Sequence, residues 1–153
     1  MSGETGGPYV QVAVLCEKVL QEKDGAVSII RIVDRFTVMV AGPAAPDEMP
    51  PGTIHTNLVV TLKSGFLKGR QNLRIVPTTP SGKRLSELST GVLLEGDDRG
   101  VNAIFDLRLP VNEEGLYWFD VQLDEQLLTR IPLRLVYQRV VQGRLFEPPQ
   151  KSD

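Results

Sequence analysis

At 153 residues with 41% hydrophobic content, the chain can bury most of its unfolded surface in one domain and has no room for a second full one. A formal net charge of -2 and a pI near 5.5 exclude the strongly basic balance of a general nucleic-acid binder. Cys16 is the only cysteine, so no intramolecular disulfide can form. With no secretory leader, no N-x-Ser/Thr acceptor and no membrane-length apolar run, a cytoplasmic setting without membrane contact is expected.

In chain order, period-two alternation dominates and no ten-residue amphipathic helical run occurs. One domain is expected over residues 8–141, with flexible termini at 1–7 and 147–153. Val10 to Leu20 and Val27 to Val40 read as two long strands joined at EKDG, where Gly25 can supply the positive φ of a tight turn. Residues 41–52, AGPAAPDEMPPG, hold four prolines and two glycines. Too few N–H groups remain for a sheet, so this is a mobile loop or a bridge between sheets. Ile54, Thr56, Leu58, Val60 and Leu62 share one face of the next strand, and a further strand is expected near Leu73 and Ile75. TPSGK and EGDDRG read as turns. After them Val101, Ala103, Phe105, Leu107 and Leu109 again alternate with polar residues, with only Ile104 dissenting. The total is eight or nine short strands, the spacing of an antiparallel β-sandwich or barrel.

GLYWFDVQLD and LLTRIPLRLVY form the last hairpin. Tyr117, Phe119, Val121 and Leu123 share a face on one strand, as Leu127, Thr129, Ile131, Leu133, Leu135 and Tyr137 do on the other. A three-residue turn at Asp124, Glu125 and Gln126 would pair Phe119 with Ile131, Asp120 with Arg130 and Trp118 with Pro132. Pro132 lacks an N–H, which places its strand at an edge or a bulge. Glu113-x-Gly115-x-Tyr117 resembles the tyrosine corner of immunoglobulin-like sandwiches, and that resemblance implies a Tyr117 phenol serving as a staple. Phe119 stands where extracellular members place a cysteine, so the likeness is to the architecture alone.

A second likeness covers most of the chain. Its residues are VQVAVLCEKVLQEKDGAVSIIRIVDRF, with an apolar strand ending at Cys16-Glu17, a Gly turn and a strand ending at Asp34-Arg35, followed by YWFDVQLDEQLLTRIPLRLVY. Together they resemble a family of small bacterial proteins that carry only a domain-of-unknown-function label. The resemblance implies a fold class and a bacterial source but no activity. Arg31 stands where it implies a small residue such as Gly.

No catalytic constellation is visible. His55 is the sole histidine, expected on an outer strand face far in sequence from Cys16, which itself reads as a small buried hydrophobe. Asp97, Asp98 and Asn102 could hold a hard cation, although adjacent aspartates lack the alternate spacing of an EF-hand loop. PSGKR has Pro77 where a phosphate-cradling loop needs its first glycine. Glu87, Glu95, Asp106 and Asp120 could pair for carboxylate chemistry, but nothing in the sequence sets their separation. No cofactor is expected.

Charge is segregated along the chain. Between Met49 and Ser86 there are six Lys and Arg residues and no acid, whereas Glu87 to Gln126 holds ten acids against two bases. Separate sheets would give opposed patches able to orient a partner, while interleaved strands would merely pair the charges. Trp118, with Arg130 and Arg134 on the same hairpin, is the candidate interface, unless the tail residues Leu145 and Phe146 fold over it. These features suggest an immunoglobulin-like, non-catalytic module binding a protein or a second copy of itself. The alternatives are a metal-assisted or carboxylate-based hydrolase at EGDDRG, and a single-stranded nucleic-acid binder stacking on Phe66.

Overall fold

The structure, a computed structural model, describes residues 6–140. Its seven strands are β1 (Tyr9–Gln21), β2 (Val27–Val33), β3 (Arg35–Ala41), β4 (Gly52–Thr78), β5 (Leu88–Val111), β6 (Gly115–Leu123) and β7 (Gln126–Val140). The tail at Leu145 and Phe146, the stretch 147–153 and most of 1–7 lie outside the described residues. Within 1–7, the Gly6 carbonyl accepts the Phe66 N–H at 2.6 Å.

Strands β4 and β5 form one long antiparallel ribbon that serves both layers of the fold. In its first part, β4 residues 57–63 lie between β1 and β5, whereas 52–56 pair with β5 alone. The later part, β4 residues 73–78, instead pairs with β6, with β5 on the other side of 73–75, and β6 continues to β7 and β3. Between them the register slips twice, at Lys63/Gly65 and Gly65/Lys68. Gly65 (φ 63) and its partner Asp97 (φ 53) take the left-handed backbone that this bend requires. EGDDRG is therefore a bend within a strand and not a chain reversal. Expected turns and short strands merge accordingly, giving seven strands among the described residues.

The inward faces meet in one core. Leu15, Leu58 and Leu62 from one layer pack with Leu73, Ile75, Tyr117, Phe119, Leu133 and Leu135 from the other, all buried. Every inward position expected on Ile54–Leu62 is buried, as are Ala103, Phe105, Leu107 and Leu109. The Tyr117 hydroxyl donates to the Glu113 carbonyl at 2.7 Å, the staple expected of a tyrosine corner. The fold is all-β as expected, but its sheet is mixed and not purely antiparallel, because β3 runs parallel to β7.

Two expectations about strand continuity need correction. Val27 to Val40 is not one strand: the chain bends at Asp34, so that β2 pairs with β1 and β3 with β7. The half-buried residues change parity there, from Val27, Ile29 and Val33 to Phe36, Val38 and Val40. The final hairpin keeps Phe119 opposite Ile131 as expected, yet closes with Leu123 opposite Gln126 after a slip beyond Val121 that leaves Leu128 bulged. Asp124 makes the tighter turn possible by accepting a left-handed φ of 50. It also clips to β4, donating its N–H to the Asn72 carbonyl at 2.8 Å and accepting the Asn72 N–H at 2.9 Å.

The Pro-rich segment 41–52 bridges the layers, leaving β3 and entering β4. Met49 plugs into the core, the Tyr137 hydroxyl donates to the Pro46 carbonyl at 2.7 Å, and Arg139 pairs with Asp47 at 3.0 Å.

Arg31 occupies β2 with a φ of 61, a conformation that costs a residue bearing Cβ about 1–2 kcal/mol. Arg31→Gly removes that strain while adding about 0.5–1 kcal/mol of unfolded-chain entropy. The expected result is a thermal midpoint unchanged or raised by a few degrees; a clear decrease would show that the side chain outweighs the strain.

Candidate functional site

The outer face of β6, β7 and β3 carries the hairpin residues that sequence alone singles out. Alternation points Trp118, Arg130, Pro132 and Arg134 outward, because Phe119, Ile131, Leu133 and Leu135 take the core side. Trp118 lies opposite Pro132 and Asp120 opposite Arg130. The Arg130 guanidinium sits 4.7 Å from the Trp118 ring centroid and donates through Nε to Asp120 at 2.8 Å. Trp118 is consequently half-buried, a ring already capped by its neighbour.

Arg134 differs. Its partner in the parallel β3–β7 register is Arg35, which alternation places on the same outer face, and both are exposed. Among the described residues neither has a carboxylate partner, so two like charges face one another across neighbouring strands, an unfavourable arrangement in isolation. Leu116 follows in the same row. Sequence reasoning missed Arg35 because its position depends on β3 joining β7, a pairing that no local pattern announces.

The charge-rich segments do not form opposed patches. Because β4 and β5 pair, Lys68 stands opposite Glu95 and Arg74 lies 3.7 Å from Glu87. The four candidate carboxylates are likewise each engaged with basic side chains: Glu87 with Arg74, Glu95 with Arg99 at 3.1 Å, Asp106 with His55 at 2.5 Å and Arg108 at 3.9 Å, and Asp120 with Arg130. Asp97 and Asp98 border a hollow of about 420 Å³ beside Tyr9, Lys63 and exposed Phe66. Asn102 is turned to Thr61, which donates to it at 2.7 Å. The described residues contain no group of three or more His, Cys, Asp and Glu placed to hold a metal. His55 also borders a second hollow of about 370 Å³ with Glu17, Arg31 and Arg35, while Cys16 is buried.

Burial raises the Tyr117 phenol above its ordinary value of 10.0, outweighing the hydrogen bond to the Glu113 carbonyl that lowers it. Burial likewise raises the Cys16 thiol above 9.0. Unfolded chains therefore release these protons at lower pH than folded ones, so their contribution to stability is complete at neutral pH and is lost as pH rises past those ordinary values. Tyr117→Phe should lower stability by about 1–2 kcal/mol at pH 7 and flatten the decline above pH 10.0, read by urea denaturation across the alkaline range. An unchanged alkaline slope would show that the phenol does not contribute to it.

Among the described residues no helix is long and apolar enough to cross a membrane. No curated protein sequence matches the chain. The chain is similar to a solved immunoglobulin-like protein from Pseudomonas aeruginosa, at 12% identity over 87% of this chain and 99% of the other, with a TM-score of 0.40. Residues 11–136 match a family of unknown function (DUF6941), and the chain belongs to that family.

Proposed function

We propose that the chain is a non-catalytic, cytoplasmic interaction module that receives an acidic surface of a partner protein on the outer face of β6, β7 and β3. The observation that carries this reading is the Arg35–Arg134 pair, two exposed arginines at opposite positions of the parallel β3–β7 register with no carboxylate partner among the described residues. Such repulsion disappears when a partner carboxylate bridges both forks, a charge-assisted geometry that arginine suits better than lysine. The Arg130–Trp118 stack supports it by supplying a rigid, half-apolar platform alongside. The hydrolase alternative gains no comparable support, since each candidate carboxylate is engaged with basic side chains.

The test compares proteins retained from cell extract by the wild-type chain with those retained by Arg35→Glu/Arg134→Glu. A specific partner should be lost from the variant and should elute from the wild type at moderate salt, while the thermal midpoint stays within a few degrees. Identical retention by both chains would reject this face.

A further inference from the structure

We infer that two copies of this chain pair through the open edge of β2, a strand that pairs with β1 and not with β6, β7 or β3. The inference starts from where β1 loses its neighbours. Its last partner on β4 is Asn57, opposite Cys16; beyond that point β1 pairs with β2 alone. Residues 17–32 are thus a two-stranded ribbon, and not one of them is buried.

Such a ribbon is marginal in water unless a further strand or apolar cover supports it. This one is apolar on both sides. The register Val19↔Ile29, Gln21↔Val27 places Val19, Ile29 and Val27 on one face. Leu20, Ile30 and Ile32 lie on the opposite face, 41%, 40% and 63% exposed. β2 ends the strand order, so among the described residues no strand lies beside its outer backbone groups. It also lacks the proline or repeated charges with which edge strands usually discourage pairing. Arg31 carries the only charge in VSIIRIV, and the β1–β2 register is the same on both sides of it, Cys16↔Ile32 and Lys18↔Ile30.

The chemistry of β2 fits itself. A two-fold axis perpendicular to the ribbon at Ile30 sets Ile30 against its own copy, Ile29 against Arg31, Ser28 against Ile32 and Val27 against Val33. No like charges face one another in this register. The ribbon as a whole carries Glu17, Glu22 and Asp24 against Lys18, Lys23 and Arg31, so two copies approach without net repulsion. Pairing turns two marginal ribbons into one four-stranded sheet and brings Leu20, Ile30 and Ile32 of both copies onto one side.

The full chain should show a concentration-dependent monomer–dimer equilibrium in analytical ultracentrifugation between about 1 and 300 µM, the range of a small, transient interface. Ile30→Lys should weaken dimerisation at least about tenfold with little change in thermal midpoint, since the side chain is exposed in the monomer. Ile30→Cys should form a disulfide-linked dimer on mild oxidation, because residues facing across antiparallel strands lie within disulfide reach. Leu93→Cys, 47% exposed on the other layer, should not, and Cys16 is buried and adds no background. A chain that stays monomeric throughout, an Ile30→Lys variant that dimerises like the wild type, or cross-linking through Leu93→Cys as readily as through Ile30→Cys would each overturn the proposal. Arg35→Glu/Arg134→Glu should dimerise normally, which separates this outcome from the fate of the arginine face.

Discussion

Phe119→Ala should lower the unfolding free energy by about 3–5 kcal/mol, which for a chain of this size lowers the thermal midpoint by about 6–20 °C. The ring is fully buried, with Ile131 and Pro77 as its cross-strand partners. It packs in the core that also holds Leu15, Leu58 and Leu62 of the opposite layer. Removing it costs both transfer free energy and a cavity, because strands hydrogen-bonded on both sides cannot close inward to fill the space. Trp118→Ala, one residue away on the outer face, should cost much less, as its ring is only half-buried. Comparable losses for the two variants would mean that the inward and outward faces of β6 are assigned wrongly.

Gly100→Ala should destabilise by about 2–4 kcal/mol, although the residue is exposed and makes no side-chain contact. A Cβ there would lie 2.3 Å from the Leu62 carbonyl oxygen, a backbone atom held in the β4–β5 pairing. No rotamer change relieves such an overlap, so the ribbon must open where it passes from one layer to the other. Gly91→Ala is the matched control: it lies in the same strand, with open space around its Cβ, and should be neutral. Urea denaturation of both variants decides the matter, and equal midpoints would count against the tight crossing.

Local pattern revealed the faces of the strands but not their partners. Alternation identified the core side of Ile54–Leu62, Val101–Leu109 and the final hairpin, apart from Leu127, which the slip beyond Val121 leaves 51% exposed, because burying one face of a sheet leaves a two-residue period in the sequence. It also anticipated the pairs Asp120–Arg130 and Trp118–Pro132, which follow once Phe119 lies opposite Ile131. It failed where a strand bends without ending. Gly96 and Asp97 carry turn chemistry, yet here that chemistry bends a continuing ribbon, and only the cross-strand registers distinguish the two. Between Val33 and Phe36 the change of parity was present in the residues, a readable sign that the chain was changing strand neighbours. Arg35 could not be placed beside Arg134 on any local ground, since parallel neighbours leave no turn signature between them.

The β3–β7 pairing has a consequence for how the protein is made. Arg35 meets Arg134 across about 100 intervening residues, so a chain emerging from the ribosome completes β3 long before its partner exists. Until β7 arrives, the strand that will close the second layer has only water beside it. A late, long-range closure of this kind favours folding in milliseconds to seconds over microseconds, and leaves the nascent chain exposed to chaperones for most of its synthesis.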